Sequence, residues 1–135
     1  MVFVSLPDTA GPELPAKNDI YVSDFEGTNI ARITSDECSS VPHWSPNGRT
    51  ILFVSRRAGG LNLFVMSPDG SNVRQITRHG NVYDGQHLWS PDGNKIAYVY
   101  SSPQSGAGTI HVVNADGSGD TDTGAPFAYG FDWLR

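Results

Sequence analysis

Short apolar runs and tight polar turns alternate along this chain, and the alternation repeats. Continuous apolar stretches stand at 2–4 (VFV), 51–54 (ILFV) and 96–100 (IAYVY). Each is followed by a second run, at 20–22 (IYV), 61–66 (LNLFVM) and 109–113 (TIHVV). Runs of this length bounded by Gly, Pro, Asn and Asp predict strands. An uninterrupted apolar run suits a strand covered on both faces, as when sheets stack on one another. No window holds apolar residues at i, i+3, i+4 and i+7 free of Gly and Pro, so a helical repeat is excluded.

The repeat has a measurable period. Trp44, Trp89 and Trp133 follow one another at spacings of 45 and 44 residues. An acidic-Gly pair recurs as Glu26-Gly27, Asp69-Gly70 and Asp116-Gly117, at 43 and 47. "NIARIT" (29–34) returns as "NVRQIT" (72–77). About 40–45 residues carrying four strands is the period of a propeller blade. The predicted order within a blade is strand A ending at the tryptophan, strand B the continuous run, strand C the second run, and strand D the outer edge. Ser45-Pro46-Asn47-Gly48 and Ser90-Pro91-Asp92-Gly93 make the A–B turns. Proline presets φ there, Asn or Asp tolerates the next position, and glycine supplies the positive φ that re-enters a strand. The third strand D is the exception. Residues 117–126 ("GSGDTDTGAP") carry no apolar residue before Ala125, and a frayed or missing edge strand is expected. The alternating Asp116, Ser118, Asp120 and Asp122 do not fit a calcium loop, for want of its spacing and closing glutamate, and read as a solvated edge.

The W-S-P-[DN]-G turns, the apolar strands behind them, Asp69-Gly70, Asp116-Gly117 and the Ile76-Thr77 ending resemble the TolB-type, WD-like β-propeller repeat. The resemblance covers nearly the whole chain. It implies an all-β fold of four-stranded antiparallel blades in a six-bladed ring. In that family the repeat builds a periplasmic protein-binding propeller, the propeller domains of prolyl-oligopeptidase-like serine peptidases, and some polysaccharide-processing lyases. The resemblance therefore implies a periplasmic or extracytoplasmic setting and leaves the role open.

Counting strands gives material for three blades. Residues 1–37 supply strands B, C and D of one blade. Residues 38–79 and 80–124 are complete blades, and residues 125–135 supply a lone strand A. The two end pieces are complementary. A homodimer exchanging them would form a six-bladed ring, a closed two-fold assembly with no free strand edge. The alternative is a piece of a longer propeller.

Composition narrows the partners. The formal charge is −5, and no basic cluster exceeds Arg56-Arg57. Nucleic acid and anionic membranes are poor partners for such a surface. Arg56-Arg57 itself reads as a solvated loop pair. Cys38 is the only cysteine. It excludes an intrachain disulfide and a Cys-based zinc site, leaving a small loop residue or an intermolecular disulfide. No apolar run reaches the length of a membrane-spanning helix, and no signal peptide is visible.

Candidate chemistry falls on the face that carries the D–A and B–C loops, since loops on a rigid scaffold are the usual seat of binding. His43, Tyr83, Asp84, His87, Tyr129 and Asp132 are expected around the channel mouth. Acidic, aromatic and imidazole groups there suit a peptide terminus, a sugar or a metal ion. The plainer reading makes His43 and His87 interblade core histidines and the tryptophans packing residues. No G-x-S-x-G, H-E-x-x-H, phosphate-binding glycine loop or C-x-x-C motif is present. The leading expectation is a non-catalytic scaffold for a protein or peptide partner, with no cofactor. A carbohydrate-binding or polysaccharide-processing propeller, its chemistry on Asp84, His87 and Asp132 and a metal ion in its channel, is the alternative.

Overall fold

The computed structural model describes residues 1–5, 18–127 and 130–134. Its strands form three antiparallel sheets. The first holds β1 (Val2–Ser5), β2 (Asp19–Val22) and β3 (Ala31–Arg32). The middle sheet holds β4 (Ser39–Trp44), β5 (Ile51–Ser55), β6 (Asn62–Met66) and β7 (Arg74–Gln75). The last holds β8 (Val82–Trp89), β9 (Lys95–Ser101), β10 (Gly108–Asn114) and β11 (Thr121–Pro126). Within each sheet spatial order follows chain order, so every sheet is a meander built from local turns.

The turns close through side chains. Ser45 Oγ donates to Asn47 Oδ1 at 2.8 Å and accepts from Thr50 N at 3.0 Å. Ser90, Asp92 and Lys95 repeat the pattern at 2.6 and 2.9 Å. At the C–D turns Asp69 Oδ1 accepts from Ser71 N, and Asp116 Oδ1 from Ser118 N, both at 2.9 Å. These bonds occupy backbone groups that a bare turn would leave to water.

Burial shows why β5 and β6 are uninterrupted apolar runs: every residue in both is buried. One face of the middle sheet, with Ile51, Phe53, Phe64 and Met66, packs with Ile20, Val2, Val4, Val22 and Ile33 of the first sheet and its flank. The opposite face, with Leu52, Val54, Leu63, Val65 and Ile76, packs with Ile96, Tyr98 and Val113 of the last sheet. Each such side chain contributes about 1.5–3 kcal/mol on burial. Trp44 packs against the first cluster and Trp89 against the second, which makes them interblade packing residues.

Strand D is anchored by the recurring Ile-Thr ending. Thr34 Oγ1 accepts from Ile20 N at 2.8 Å and donates to Asp19 Oδ1 at 2.9 Å. Thr77 Oγ1 accepts from Leu63 N at 3.0 Å and donates to Asn62 Oδ1 at 3.2 Å. The hydroxyl thus stands in for a ladder partner where strand D has already left strand C.

The third outer strand departs from expectation. Residues 117–126 do not fray: β11 runs for six residues, whereas β3 and β7 have two each. An edge strand needs a backbone partner rather than apolar side chains, and β10 supplies one. Val112 faces Thr121 and His111 faces Asp122, with an irregularity before Thr109 meets Pro126. Thr123 Oγ1 adds a bond to the Ile110 carbonyl at 2.7 Å. The polar reading of this edge holds, since most of β11 is exposed. Among the described residues, β1 pairs with β2 alone, and residues 130–134 lie in no strand.

Candidate functional site

Strands β4 and β8 occupy equivalent edges of neighbouring sheets and contact each other. Both are bulged, but unequally. In β4 the five steps from Ser39 to Trp44 face the four from Ser55 to Ile51. In β8 the seven steps from Val82 to Trp89 face only the four from Tyr100 to Ile96. The excess is taken up between Val82 and His87, and Tyr83, Asp84 and Gly85 are all exposed there. Gly85 has φ +94° with open space where a side chain would stand, a conformation that favours glycine. Tyr83 keeps 50% of its surface exposed, and its ring centroid lies 6.1 Å from that of Phe127. Phe127 in turn meets Phe131 edge-on at 6.5 Å.

The six expected residues do not gather at one end. Tyr83 and Asp84 lie at the start of β8, beside the loop that enters it. His43 and His87 lie near the opposite ends of β4 and β8, next to the tryptophans and the tight turns. The two histidines do meet, ring against ring at 5.0 Å and nearly perpendicular. His87 is 2% exposed, and its Nε2 donates to the Val41 carbonyl at 2.9 Å. Val41 has φ +48°, so the β4 bulge turns this carbonyl toward the next blade and the histidine captures it. His87 is therefore an interblade tie, while His43 remains exposed. Burial, and then His43, lower the His87 pKa to about 4. Burial by the surrounding protein lowers that of His43 as well, despite its exposed edge. Asp132 is exposed, and its Oδ1 accepts from Trp133 N at 2.8 Å. Tyr129 lies outside the described residues.

A second polar assembly, which single-residue reading missed, sits between the middle and last sheets. Tyr98 pairs with His111 across β9 and β10, in the register that pairs Phe53 with Phe64 across β5 and β6. The buried Tyr98 hydroxyl lies 2.7 and 2.8 Å from the two Asp120 oxygens. Its one proton goes to that carboxylate, so His79 Nε2 donates to the phenol oxygen at 2.9 Å, and Nδ1 accepts from Asn81 N at 3.3 Å. Burial, followed by Asp120, pushes the tyrosine pKa well above its ordinary value. His111 Nδ1 stands 3.4 Å from Asp120, and His111 Nε2 stands 3.9 Å from Asp122. A shallow groove of about 350 Å³, lined in part by Arg78, His79, Gly117 and Asp120, opens beside it. The phenol is locked as a donor, so the assembly ties strands together rather than supplying a nucleophile. Asp120, which looks like part of a solvated edge in the sequence, is in this case bonded to Tyr98 of β9.

The equivalent junction between the first and middle sheets corrects another expectation. Arg57 is no free loop cation. Its guanidinium lies 5.1 Å over Phe53 and 5.3 Å over Phe64, and Nη2 is 2.6 Å from Asp36 Oδ2. Nη2 also donates to Ser39 Oγ at 3.0 Å. Burial raises the Asp36 pKa, but hydrogen bonds, first that of Ser39, together with Arg57 hold it below the usual range. Cys38 stands nearby as a free thiol, 3.5 Å from Ser55 Oγ. Among the described residues, no group of three or more His, Cys, Asp or Glu side chains is arranged to hold a metal ion.

Stacked antiparallel meanders, two of four strands and one of three, have the blade architecture of a β-propeller. A family model for the TolB beta propeller domain matches residues 13–124, and the chain belongs to that family. It is 43% identical over 102 residues to the Tol-Pal system protein TolB of Anaeromyxobacter dehalogenans, covering 75% of this chain and 23% of that protein. To the uncharacterized peptidase YuxL of Bacillus subtilis it is 36% identical over 94 residues, covering 63% of this chain and 14% of that protein. The crystal structure of TolB from Acinetobacter baumannii superposes with a TM-score of 0.71 at 19% identity, covering 90% of this chain and 29% of that one. The chain thus spans about a quarter or less of the curated relatives it matches. No helix among the described residues is long and apolar enough to cross a membrane.

Proposed function

We propose that this chain is a non-catalytic binding module of the TolB type, which recognises a protein or peptide partner at its loop end. One observation carries the reading: the β8 bulge leaves an aromatic residue and a carboxylate, Tyr83 and Asp84, consecutive and both exposed on an edge strand. Bulges on rigid sheets commonly re-aim side chains for recognition. The relatives named Tol-Pal system protein TolB support a protein partner and an extracytoplasmic setting. The test is selection of phage-displayed random peptides on the immobilised chain. Recovered peptides should lose at least tenfold in affinity on Tyr83→Ala or Asp84→Asn. Recovery of no peptide, or only of peptides indifferent to both substitutions, would reject the reading.

The proposal extends to assembly. Among the described residues, no strand pairs with β1 on the side where β5 and β9 carry β4 and β8. Residues 127–134 of a second copy, with the third tryptophan of the repeat, would supply the missing inner strand. Two such exchanges close a six-bladed ring.

The resemblance to the Bacillus peptidase favours a second reading, in which the blades belong to the propeller of a larger peptidase. Catalysis would then reside outside these 135 residues. Mass spectrometry of the protein isolated from its host separates the two: tryptic peptides of a peptidase domain on the same polypeptide favour the second.

A further inference from the structure

Within the loop-end reading just proposed, we infer that the Tyr83–Asp84 bulge is a subsite for a guanidinium group, taking an arginine side chain of the partner. The chain supplies the precedent itself. At the first interblade junction two aromatic rings and a carboxylate are filled by the chain's own Arg57, stacked on Phe53 and Phe64 and paired with Asp36. At the loop end of the last blade the same chemical set recurs: Tyr83, Phe127 and Phe131 in successive ring contact, with the exposed Asp84 next in sequence to Tyr83. Among the described residues the guanidinium–ring contacts are those of Arg57 alone. The second set is thus open to a cation from outside.

The chemistry favours arginine. Aromatic faces attract cations through their quadrupole, and a planar guanidinium stacks on a ring while its edge bonds a carboxylate. A formal charge of −5 draws a basic peptide toward the surface and raises its rate of encounter. Gly85 leaves the far side of the bulge open, with nothing within 4 Å of where a β-carbon would stand, so a peptide backbone can approach closely.

The experiment is a titration of the isotope-labelled full chain, followed by amide NMR. The probes are acetyl-Gly-Arg-Gly-amide and the same tripeptides with lysine or norleucine at the centre. The arginine peptide should shift the Tyr83, Asp84, Gly85 and Phe127 amides. Lysine should bind at least threefold more weakly, and norleucine should leave these amides unmoved. Tyr83→Ala and Asp84→Asn should each abolish the response while the rest of the spectrum stays native, since both side chains are exposed. An unmoved spectrum with arginine, or equal shifts with norleucine, would overturn the inference. The peptide selection keeps its failure distinct. Selected peptides that depend on Tyr83 but carry no arginine would sink the guanidinium subsite and leave partner binding standing. Absence of any peptide that depends on Tyr83 or Asp84 would sink both.

Discussion

At His87, burial and the neighbouring His43 hold the imidazole neutral down to a pKa of about 4, against 6.5 for a free ring. Between those values the unfolded chain binds a proton that the fold refuses. The stability is therefore complete above pH 6.5 and is lost as pH falls toward 4, by up to about 3 kcal/mol. His87→Gln keeps a donor for the Val41 carbonyl and removes the titration. Urea unfolding between pH 7 and 4 should show a shallower acid loss in the variant than in the parent, and equal slopes would refute the assignment. Gly70 offers a second check. Its φ is +83°, and a β-carbon there would run into the Ile33 carbonyl oxygen of the preceding blade. Gly27 has nearly the same φ, +75°, but open space around it. Gly70→Ala should cost about 3 kcal/mol, and Gly27→Ala about 1 kcal/mol, the backbone strain alone. Denaturation midpoints that fall equally would show that interblade packing at Gly70 is loose.

Among the elements, the outer strands depend most on side-chain hydroxyls. With β7 only two residues long, Thr77 holds the segment after it to Leu63 and Asn62. Thr77→Val is nearly isosteric and leaves the buried Leu63 N–H without that acceptor, at a cost of about 1–3 kcal/mol. Hydrogen exchange at Leu63 should accelerate in step, and unchanged protection would mean that the Ile76 and Thr77 backbone alone anchors the strand. The repeated Ile-Thr dipeptide is visible in the sequence, as are the W-S-P-[DN]-G turns, because turns and strand ends are encoded locally. Register is different. The pairing of Tyr98 with His111 and the capture of Asp120 depend on which residues face each other across three strands, and no local pattern carries that. Arg57 reads as a loop cation because the rings beneath it come from two separate strands. Edge strand β11 is invisible to hydrophobic patterning because its ladder is made by backbone. Of the candidate site, Tyr83 and Asp84 were legible as loop-end residues, but the three-residue excess that exposes them appears only when β8 is laid against β9.

For the whole molecule, the central question is how the two outward faces of the stack are covered. The middle sheet is buried on both sides, whereas the first and last each bury one side against it. Phe3 and Tyr21 stack together at 5.8 Å on β1 and β2, at alternating positions to the residues that pack inward. An apolar blade face of this kind calls for another blade. Ring closure by a second copy would cover both faces and fix the position of the Tyr83 bulge at a channel mouth. The most direct measurement is the absolute mass of the chain in solution, by light scattering after size exclusion at several concentrations. A stable mass twice 14.6 kDa, reduced to that of a monomer by deletion of residues 127–135, is the predicted result. A well-folded monomer of 14.6 kDa that keeps its mass at every concentration would contradict closure by strand exchange.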